Sequence, residues 1–136
     1  MMEFARRLTR SPLAHDAEAG ADATQRYADL APELRGLLAG AAGCSPFLKS
    51  LMEAEETWLR EALAGAPELA LEGVLTLGPM GVVETGSALR RAKRRVALLA
   101  ALADLGGVWR LDEVTGALTR LADLGVQRAL ACHMAE

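Results

Sequence analysis

Residues 89–130 constrain the fold most, because two helical patterns there flank a single Gly-Gly break. Before the break, apolar side chains recur every three or four residues from Leu89 to Ala103, which is the spacing of one helix face. After the break, Asp112 is placed to cap a second helix whose apolar stripe starts at Val114. Two helices joined by so short a connection are expected to pack antiparallel or at a steep angle. The sequence therefore predicts a helical hairpin in this part of the chain.

The composition favours the same fold class for the rest of the chain. Of its 136 residues, 51% are hydrophobic and 4% aromatic, and the apolar residues are mostly Ala and Leu, which favour helices over sheet. Proline stands at the first helical position in Ser45-Pro46 and Pro67-Glu68, which predicts helix starts there. A chain of this length is near the usual size of one domain. The sequence therefore predicts an all-α, compact bundle of about five or six helices with no sheet.

Helical spacing begins some way into the chain and sets the expected domain boundary. Residues 1–21 show no helical pattern, and their basic residues are followed by polar ones where a secretory signal needs an apolar run. We expect a loosely ordered leader over residues 1–21 and a helical domain over residues 22–136. Within that domain we expect one helix over residues 46–63 and a loop over residues 80–86.

Charge and composition disfavour several function classes. The net charge of −3 argues against a generic nucleic-acid binder, and the few aromatic side chains leave little surface for base stacking. The longest apolar run, residues 96–103, is less than half of the ~18 residues that indicate a membrane span. Two cysteines are too few for a disulfide framework. We expect a cytoplasmic protein that binds neither nucleic acid nor membrane.

The sequence contains no recognisable catalytic constellation. It has no P-loop, no Gly-x-Ser-x-Gly motif and no His-Glu-x-x-His motif. The acidic cluster of Glu53, Glu55 and Glu56 is typical of a solvated helix face and is expected to face solvent. We therefore predict no catalytic, cofactor-binding or metal-binding residue in this chain.

The densest positive charge lies at the start of the first hairpin helix. It comprises Arg90, Arg91, Lys93, Arg94 and Arg95. At 100° per residue these side chains cover more than half of the helix circumference, and the helix dipole disfavours cations in the first turns. A nearby anionic surface would relieve this cost, such as acidic side chains of an adjoining domain or a phosphate. The alternative is a solvated face with local pairs to Glu84 and Asp104.

Two glycines interrupt the second hairpin helix. Gly116 and Gly125 each cost a helix interior about 1 kcal/mol relative to alanine. This pattern indicates that another backbone approaches closely at these positions. The alternative is that both are tolerated surface glycines.

Two motifs of the chain resemble a known family. Bifunctional glutamine synthetase adenylyltransferase/adenylyl-removing enzymes have, just ahead of their first catalytic domain, a helical segment similar to LRRAKRRVALLAALADLGGVW followed by LDEVTGALTRLAD. The family also has an early helix start that resembles Ser45-Pro46-Phe47-Leu48. The resemblance spans most of the chain and is strongest in its last third.

The resemblance implies an N-terminal fragment of a much longer enzyme. In such enzymes, nucleotidyltransferase domains that use ATP and magnesium attach AMP to a tyrosine of glutamine synthetase and remove it by phosphorolysis. Their metal-binding motif does not occur in this chain, so the resemblance implies a helical scaffold of the removing half that is inactive alone. It also implies that glutamine synthetase and a PII-type signalling protein are partners of the parent enzyme.

Exposed apolar side chains are expected where this scaffold meets the rest of its parent. The candidate surfaces are Leu98, Leu102 and Leu105, or Val114 and Leu121. A fragment that exposes such a patch is expected to self-associate. The basic face is expected to meet either the nucleotidyltransferase domain or an acidic partner.

Two alternatives from other function classes stay open. Residues 100–130 form two predicted helices around a short glycine-containing turn, as in a helix-turn-helix DNA-binding regulator. The second helix carries Thr115, Thr119, Arg120 and Gln127. The acidic balance and the position of the basic residues on the first helix argue against DNA binding. A stand-alone helical adaptor fits the composition equally well.

Overall fold

Helices alone make up the regular structure of the residues that the computed structural model describes, which are 2–78 and 80–135, with side chains described through residue 131. A short 3-10 helix, Phe4–Arg7, precedes seven α-helices. These are α1 (Ala17–Arg26), α2 (Pro32–Cys44), α3 (Pro46–Ala54), α4 (Glu56–Leu63), α5 (Pro67–Leu75), α6 (Val82–Leu105) and α7 (Leu111–Ala135). The predicted all-α class is confirmed, and the helix count is slightly above the predicted five or six.

The predicted helix over residues 46–63 is split in two. The backbone leaves helical geometry at Glu55, which has φ −112° and ψ 26° and separates α3 from α4. Two arginines of α6 bind the carboxylate of this residue. The apolar side chains keep helical spacing across Glu55, but the helix breaks where this residue pairs with α6. Tertiary contacts of this kind can override a local preference for helix. The prediction of one continuous helix is wrong for this reason.

Proline and a side-chain cap start two helices where predicted. Ser45 accepts a hydrogen bond from the Leu48 amide at 3.2 Å, and Pro46 occupies the first position of α3. Helix α5 begins at Pro67. Both starts need only local chemistry, so the sequence alone identifies them.

Helix α6 starts earlier than predicted. The expected loop over residues 80–86 contains its first turn, which begins at Val82. Thr85 is buried in this turn, and its amide donates to the Gly81 carbonyl at 2.9 Å. The loop prediction is wrong because Thr85 belongs to the first turn of the helix and its side chain is buried in the bundle.

Helix α6 forms the centre of the bundle. It contacts α2, α3, α5 and α7, and Val96, Leu98, Leu99 and Leu102 have no exposed surface. The broad apolar stripe of this helix is therefore buried against several neighbours, as a wide stripe requires. Because Leu98 and Leu102 lie in the interior, they do not form the exposed apolar patch that the sequence suggested.

The N-terminal segment contacts the bundle before the first α-helix. Phe4 has no exposed surface, and its amide donates to the Gly65 carbonyl at 2.9 Å. Arg10 donates from Nε to the Leu105 carbonyl at 3.2 Å and from Nη2 to the Asp104 carbonyl at 2.5 Å, which satisfies carbonyls at the end of α6. Helix α1 also begins before the expected boundary at residue 22. The division into a leader and a helical domain stays a prediction.

The turn between α6 and α7 depends on Gly107. Its φ of +66° lies in the left-handed region, and a Cβ added there would lie 2.0 Å from Oγ1 of Thr9. Gly107→Ala is expected to lower the free energy of unfolding by about 2 kcal/mol, because it adds backbone strain and a steric clash. Urea denaturation measures the change. Gly116→Ala, where a Cβ meets open space, is the control and is expected to stabilise α7 by about 1 kcal/mol; equal effects would contradict the described turn.

Candidate functional site

The structure divides the basic run of α6 into two groups, of which the first is paired with a buried carboxylate. Nε of Arg94 lies 3.2 Å from Oε2 of Glu55, and Nε of Arg95 lies 2.6 Å from Oε1 of the same carboxylate. The guanidinium of Arg95 also lies 5.5 Å from the ring centre of Trp58, which is within cation–π range. Arg94 and Arg95 therefore tie α6 to the break between α3 and α4.

Glu55 is only 7% exposed, so the prediction that it faces solvent is wrong. Burial by itself raises the pKa of its carboxyl, but the hydrogen bonds donated by Arg95 and Arg94 outweigh burial and hold the pKa below its ordinary value. Of its acidic neighbours, Glu53 is exposed and Glu56 accepts a hydrogen bond from Arg26. The sequence does carry a signal for Glu55, because it interrupts an otherwise apolar helix face.

The second group of cations lies at the surface. Arg90, Arg91 and Lys93 are exposed, and none of the three forms a salt bridge within the part of the chain that the structure describes. Arg90 donates a hydrogen bond to Oγ of Ser87 in the preceding turn at 3.4 Å. Asp104, one of the expected local partners, instead lies 3.7 Å from Arg10. An anion-facing surface therefore stays a prediction for Arg90, Arg91 and Lys93, and no longer includes Arg94 and Arg95.

A groove of about 320 Å³ lies between α6 and α7, beside Lys93. It is lined by Leu89, Lys93, Leu118, Leu121, Ala122 and Gly125. Lys93 is the one charged residue of this lining. Large apolar side chains continue along the exposed side of α7, and they are Leu111, Leu118, Val126 and Leu130. We call the groove and these exposed side chains the α6–α7 face.

The two predicted close-packing glycines differ in their position on α7. A Cβ added to Gly116 or Gly125 would meet no atom within 4 Å, so neither is packed against a backbone in the described residues. They are nine residues apart and therefore lie on opposite sides of the helix. Gly125 lines the groove of the α6–α7 face, whereas Gly116 is exposed away from it. The approach of another backbone stays a prediction.

A second charged cluster, which no pattern in the sequence predicts, surrounds the buried Tyr27. The guanidinium of Arg60 lies 5.0 Å from the Tyr27 ring centre, and its Nη1 donates to both carboxylate oxygens of Asp29 at 3.0 and 2.8 Å. Burial, followed by the Glu56 carboxylate, raises the pKa of the Tyr27 hydroxyl. A cavity of about 420 Å³ lies beside the cluster, between α1, α2 and α3. The cluster holds the end of α1 against α4, and no local pattern signals it because its members are about thirty residues apart.

Metal binding and membrane insertion can each be checked against the described residues. No three His, Cys, Asp or Glu side chains among them converge so as to hold a metal ion. None of the helices described has the length and apolarity to cross a membrane. The side chains of residues 132–136, including Cys132, lie outside the described part of the chain.

Comparisons with known proteins give one consistent result. A profile of the family described as "Glutamate-ammonia ligase adenylyltransferase" matches residues 35–136. The chain is 40% identical over 124 residues to the bifunctional glutamine synthetase adenylyltransferase/adenylyl-removing enzyme of Rhodopseudomonas palustris, covering 87% of this chain and 12% of that enzyme.

Two further relatives carry the same name. The enzyme of Caulobacter vibrioides is 40% identical over 101 residues, covering 71% of this chain and 10% of the relative. The enzyme of Xanthobacter autotrophicus is 41% identical over 106 residues, covering 74% of this chain and 11% of the relative. The chain thus spans 10–12% of the length of these curated relatives. No solved structure matches the chain.

Proposed function

Because the chain belongs to the glutamate-ammonia ligase adenylyltransferase family, we propose that it is a helical scaffold region of an enzyme that regulates glutamine synthetase by attaching and removing AMP. The family match over residues 35–136 carries the proposal, because it takes in most of the bundle. The alignments with the relatives cover only 10–12% of each of those enzymes. The reaction then belongs to other parts of such an enzyme. We assign this chain to the adenylyl-removing half.

The longer enzyme supplies the reactants and the reactive groups in this proposal. ATP and magnesium act in its nucleotidyltransferase domains, and glutamine synthetase and a PII-type signalling protein are partners of the whole enzyme. We propose no nucleotide or metal site on the described residues of this chain. The proposed setting is the cytoplasm, without nucleic acid or membrane as a partner.

The scaffold role is supported by how firmly the α6–α7 turn is held. Nη1 of Arg7 donates to both carboxylate oxygens of Glu68 at 2.6 Å, and Nε1 of Trp109 donates to the same carboxylate at 3.3 Å. Thr9 donates from its amide to the Gly106 carbonyl at 2.8 Å. Contacts from the N-terminal segment and from α5 therefore fix the start of α7, which a scaffold needs in order to present a surface in one orientation.

An exchange of segments tests the proposal. In the exchange protein, this chain replaces the matched segment of the Rhodopseudomonas palustris enzyme. We expect the exchange protein to attach AMP to glutamine synthetase and to release it with phosphate, at rates within about tenfold of the parent enzyme. The same enzyme with a flexible glycine-serine linker in place of the segment is expected to lose release of AMP. Equal release by the linker protein and the exchange protein would contradict a scaffold role.

The isolated chain provides two further checks. We expect it to show neither AMP attachment nor AMP release, and detectable activity would refute the proposal. We also propose that the isolated chain self-associates weakly at high concentration, because the exposed apolar side chains of α7 then have no better partner. Size exclusion with light scattering measures this association. Salt-dependent retention on a DNA column would favour the helix-turn-helix alternative. One of the four candidate residues of that alternative, Arg120, is already paired, because its Nη1 lies 2.6 Å from Oε1 of Glu72.

A further inference from the structure

We propose that the α6–α7 face is a docking site for an amphipathic helix with an acidic flank, supplied by the part of the longer enzyme that lies outside this chain. The inference rests on the proposed function, because that function places the chain inside a longer enzyme. It goes further by naming the surface that docks and the chemistry of the segment that binds there.

The shape and polarity of the groove fit a helix. Leu118 and Leu121 lie one turn apart in its lining, and Lys93 is the only charged residue there. Leu111, which is 79% exposed, and Val126 extend the apolar surface along α7. A helix that binds in such a groove buries apolar side chains at intervals of three, four and seven residues. The length of the face along α7 suits that mode of binding better than it suits a compact ligand.

Gly125 gives the groove room for close approach. With no atom within 4 Å of an added Cβ, the space above this residue is open in the described structure. A glycine in the middle of a helix is unfavourable unless the missing side chain serves another purpose. Close passage of a second backbone is such a purpose, and it accounts for the glycine predicted from the sequence to be a close-packing position.

Charge identifies the flank of the docking helix. Among the described residues that line the groove, Lys93 is a cation and none is acidic, and Arg90 is exposed on the neighbouring part of the α6 surface. Arg91 lies about 160° around the helix from Lys93 and does not take part. Acidic side chains beside the apolar ridge of the docking helix would complement these cations. A second copy of this chain is the less suitable occupant, because a two-fold contact through the groove would bring the two Lys93 side chains together. Since the chain spans 10–12% of its relatives, the rest of such an enzyme offers the segment.

Chemical labelling of the groove tests the docking site. Ala122→Cys, in the lining of the groove, and Gly116→Cys are made separately after both native cysteines are changed to serine, and each is made in the isolated chain and in the exchange protein. The isolated chain is used at a concentration where light scattering shows a monomer. Maleimide is expected to react with the Ala122→Cys thiol about tenfold more slowly in the exchange protein, because the docked helix must open first. The Gly116→Cys thiol is expected to react equally fast in both proteins.

Two further measurements identify the occupant. A photoreactive maleimide on Ala122→Cys is expected to cross-link the exchange protein to an acidic helix of the Rhodopseudomonas palustris part, whereas a cross-link to a second copy or to glutamine synthetase would overturn the proposal. Lys93→Glu is expected to restore fast labelling at residue 122. Lys49→Glu, on α3 away from the groove, is expected to leave the labelling slow.

The labelling and the activity separate the two proposals. Equal labelling of Ala122→Cys in the isolated chain and in an active exchange protein would overturn the docking site and leave the scaffold function standing. Slow labelling in an exchange protein that fails to release AMP would support the docking site and count against the scaffold function.

Discussion

Phe4→Ala is expected to lower the free energy of unfolding by about 3–4 kcal/mol, because it opens a cavity where a phenyl ring without exposed surface now packs. Phe4 lies in the short N-terminal helix, and its amide hydrogen bond to the Gly65 carbonyl would survive the substitution. The loss therefore reports side-chain packing alone. Urea denaturation followed by circular dichroism measures it.

Phe47→Ala is the matched control for this prediction. Phe47 is the other phenylalanine of the chain, but it is 67% exposed on α3. Its replacement is expected to change the free energy of unfolding by less than about 0.5 kcal/mol. If Phe4→Ala were as mild as Phe47→Ala, the N-terminal segment would not be part of the folded core in solution.

Glu55→Gln is expected to lower the free energy of unfolding by about 2–3 kcal/mol, because it removes the charge that Arg94 and Arg95 share. The expected loss of stability lies at or below the lower end of the range for fully buried ion pairs. The side chains of Arg94 and Arg95 are 46% and 30% exposed, so water screens them in part. Glu53→Gln, two residues away and exposed, is expected to have almost no effect. Similar effects of the two substitutions would show that the ion pairs do not hold α6 to the α3–α4 break.

The same carboxylate gives stability a defined pH dependence. The pKa of Glu55 is lower in the folded chain than its ordinary value, so the folded state binds fewer protons than the unfolded state as pH falls through this range. The stabilisation by Glu55 is therefore complete above the ordinary glutamate pKa of about 4.3 and is lost as pH falls through the lower folded value. Urea denaturation at several acidic pH values is expected to show a smaller loss of stability for Glu55→Gln than for the parent chain. Parallel curves would contradict the pKa direction.

The fold class was predictable because it depends on local chemistry. Alanine and leucine content, Ser45-Pro46 and Pro67 each act within one or two helical turns, and the structure has helices that start at these prolines. The break at Glu55 was not predictable from the spacing of apolar residues, because the arginines that pair with Glu55 lie 39 and 40 residues away. Phe4 was missed for the same reason, since one aromatic residue in a short segment has no periodicity to reveal what it packs against.

The sequence predicts which basic residues lie on α6, but not which of them are paired with an acid and which stay exposed. Helical spacing shows that the basic residues of α6 cover much of the helix circumference, yet it does not show which side meets an acid. The structure supplies that information by binding Arg94 and Arg95 to Glu55 and leaving Arg90, Arg91 and Lys93 exposed. Of the two apolar surfaces that the sequence offered, Leu98 and Leu102 of α6 are buried by neighbouring helices, whereas Leu121 of α7 lines the groove.

The most direct test of the scaffold role is the temperature at which the exchange protein loses phosphate-dependent release of AMP, with Glu55→Gln compared with Glu53→Gln. If the bundle supports the activity, Glu55→Gln lowers that temperature by several degrees, in step with the unfolding of the bundle, and Glu53→Gln leaves it unchanged. Release of AMP that persists unchanged after the bundle has unfolded would contradict the scaffold role.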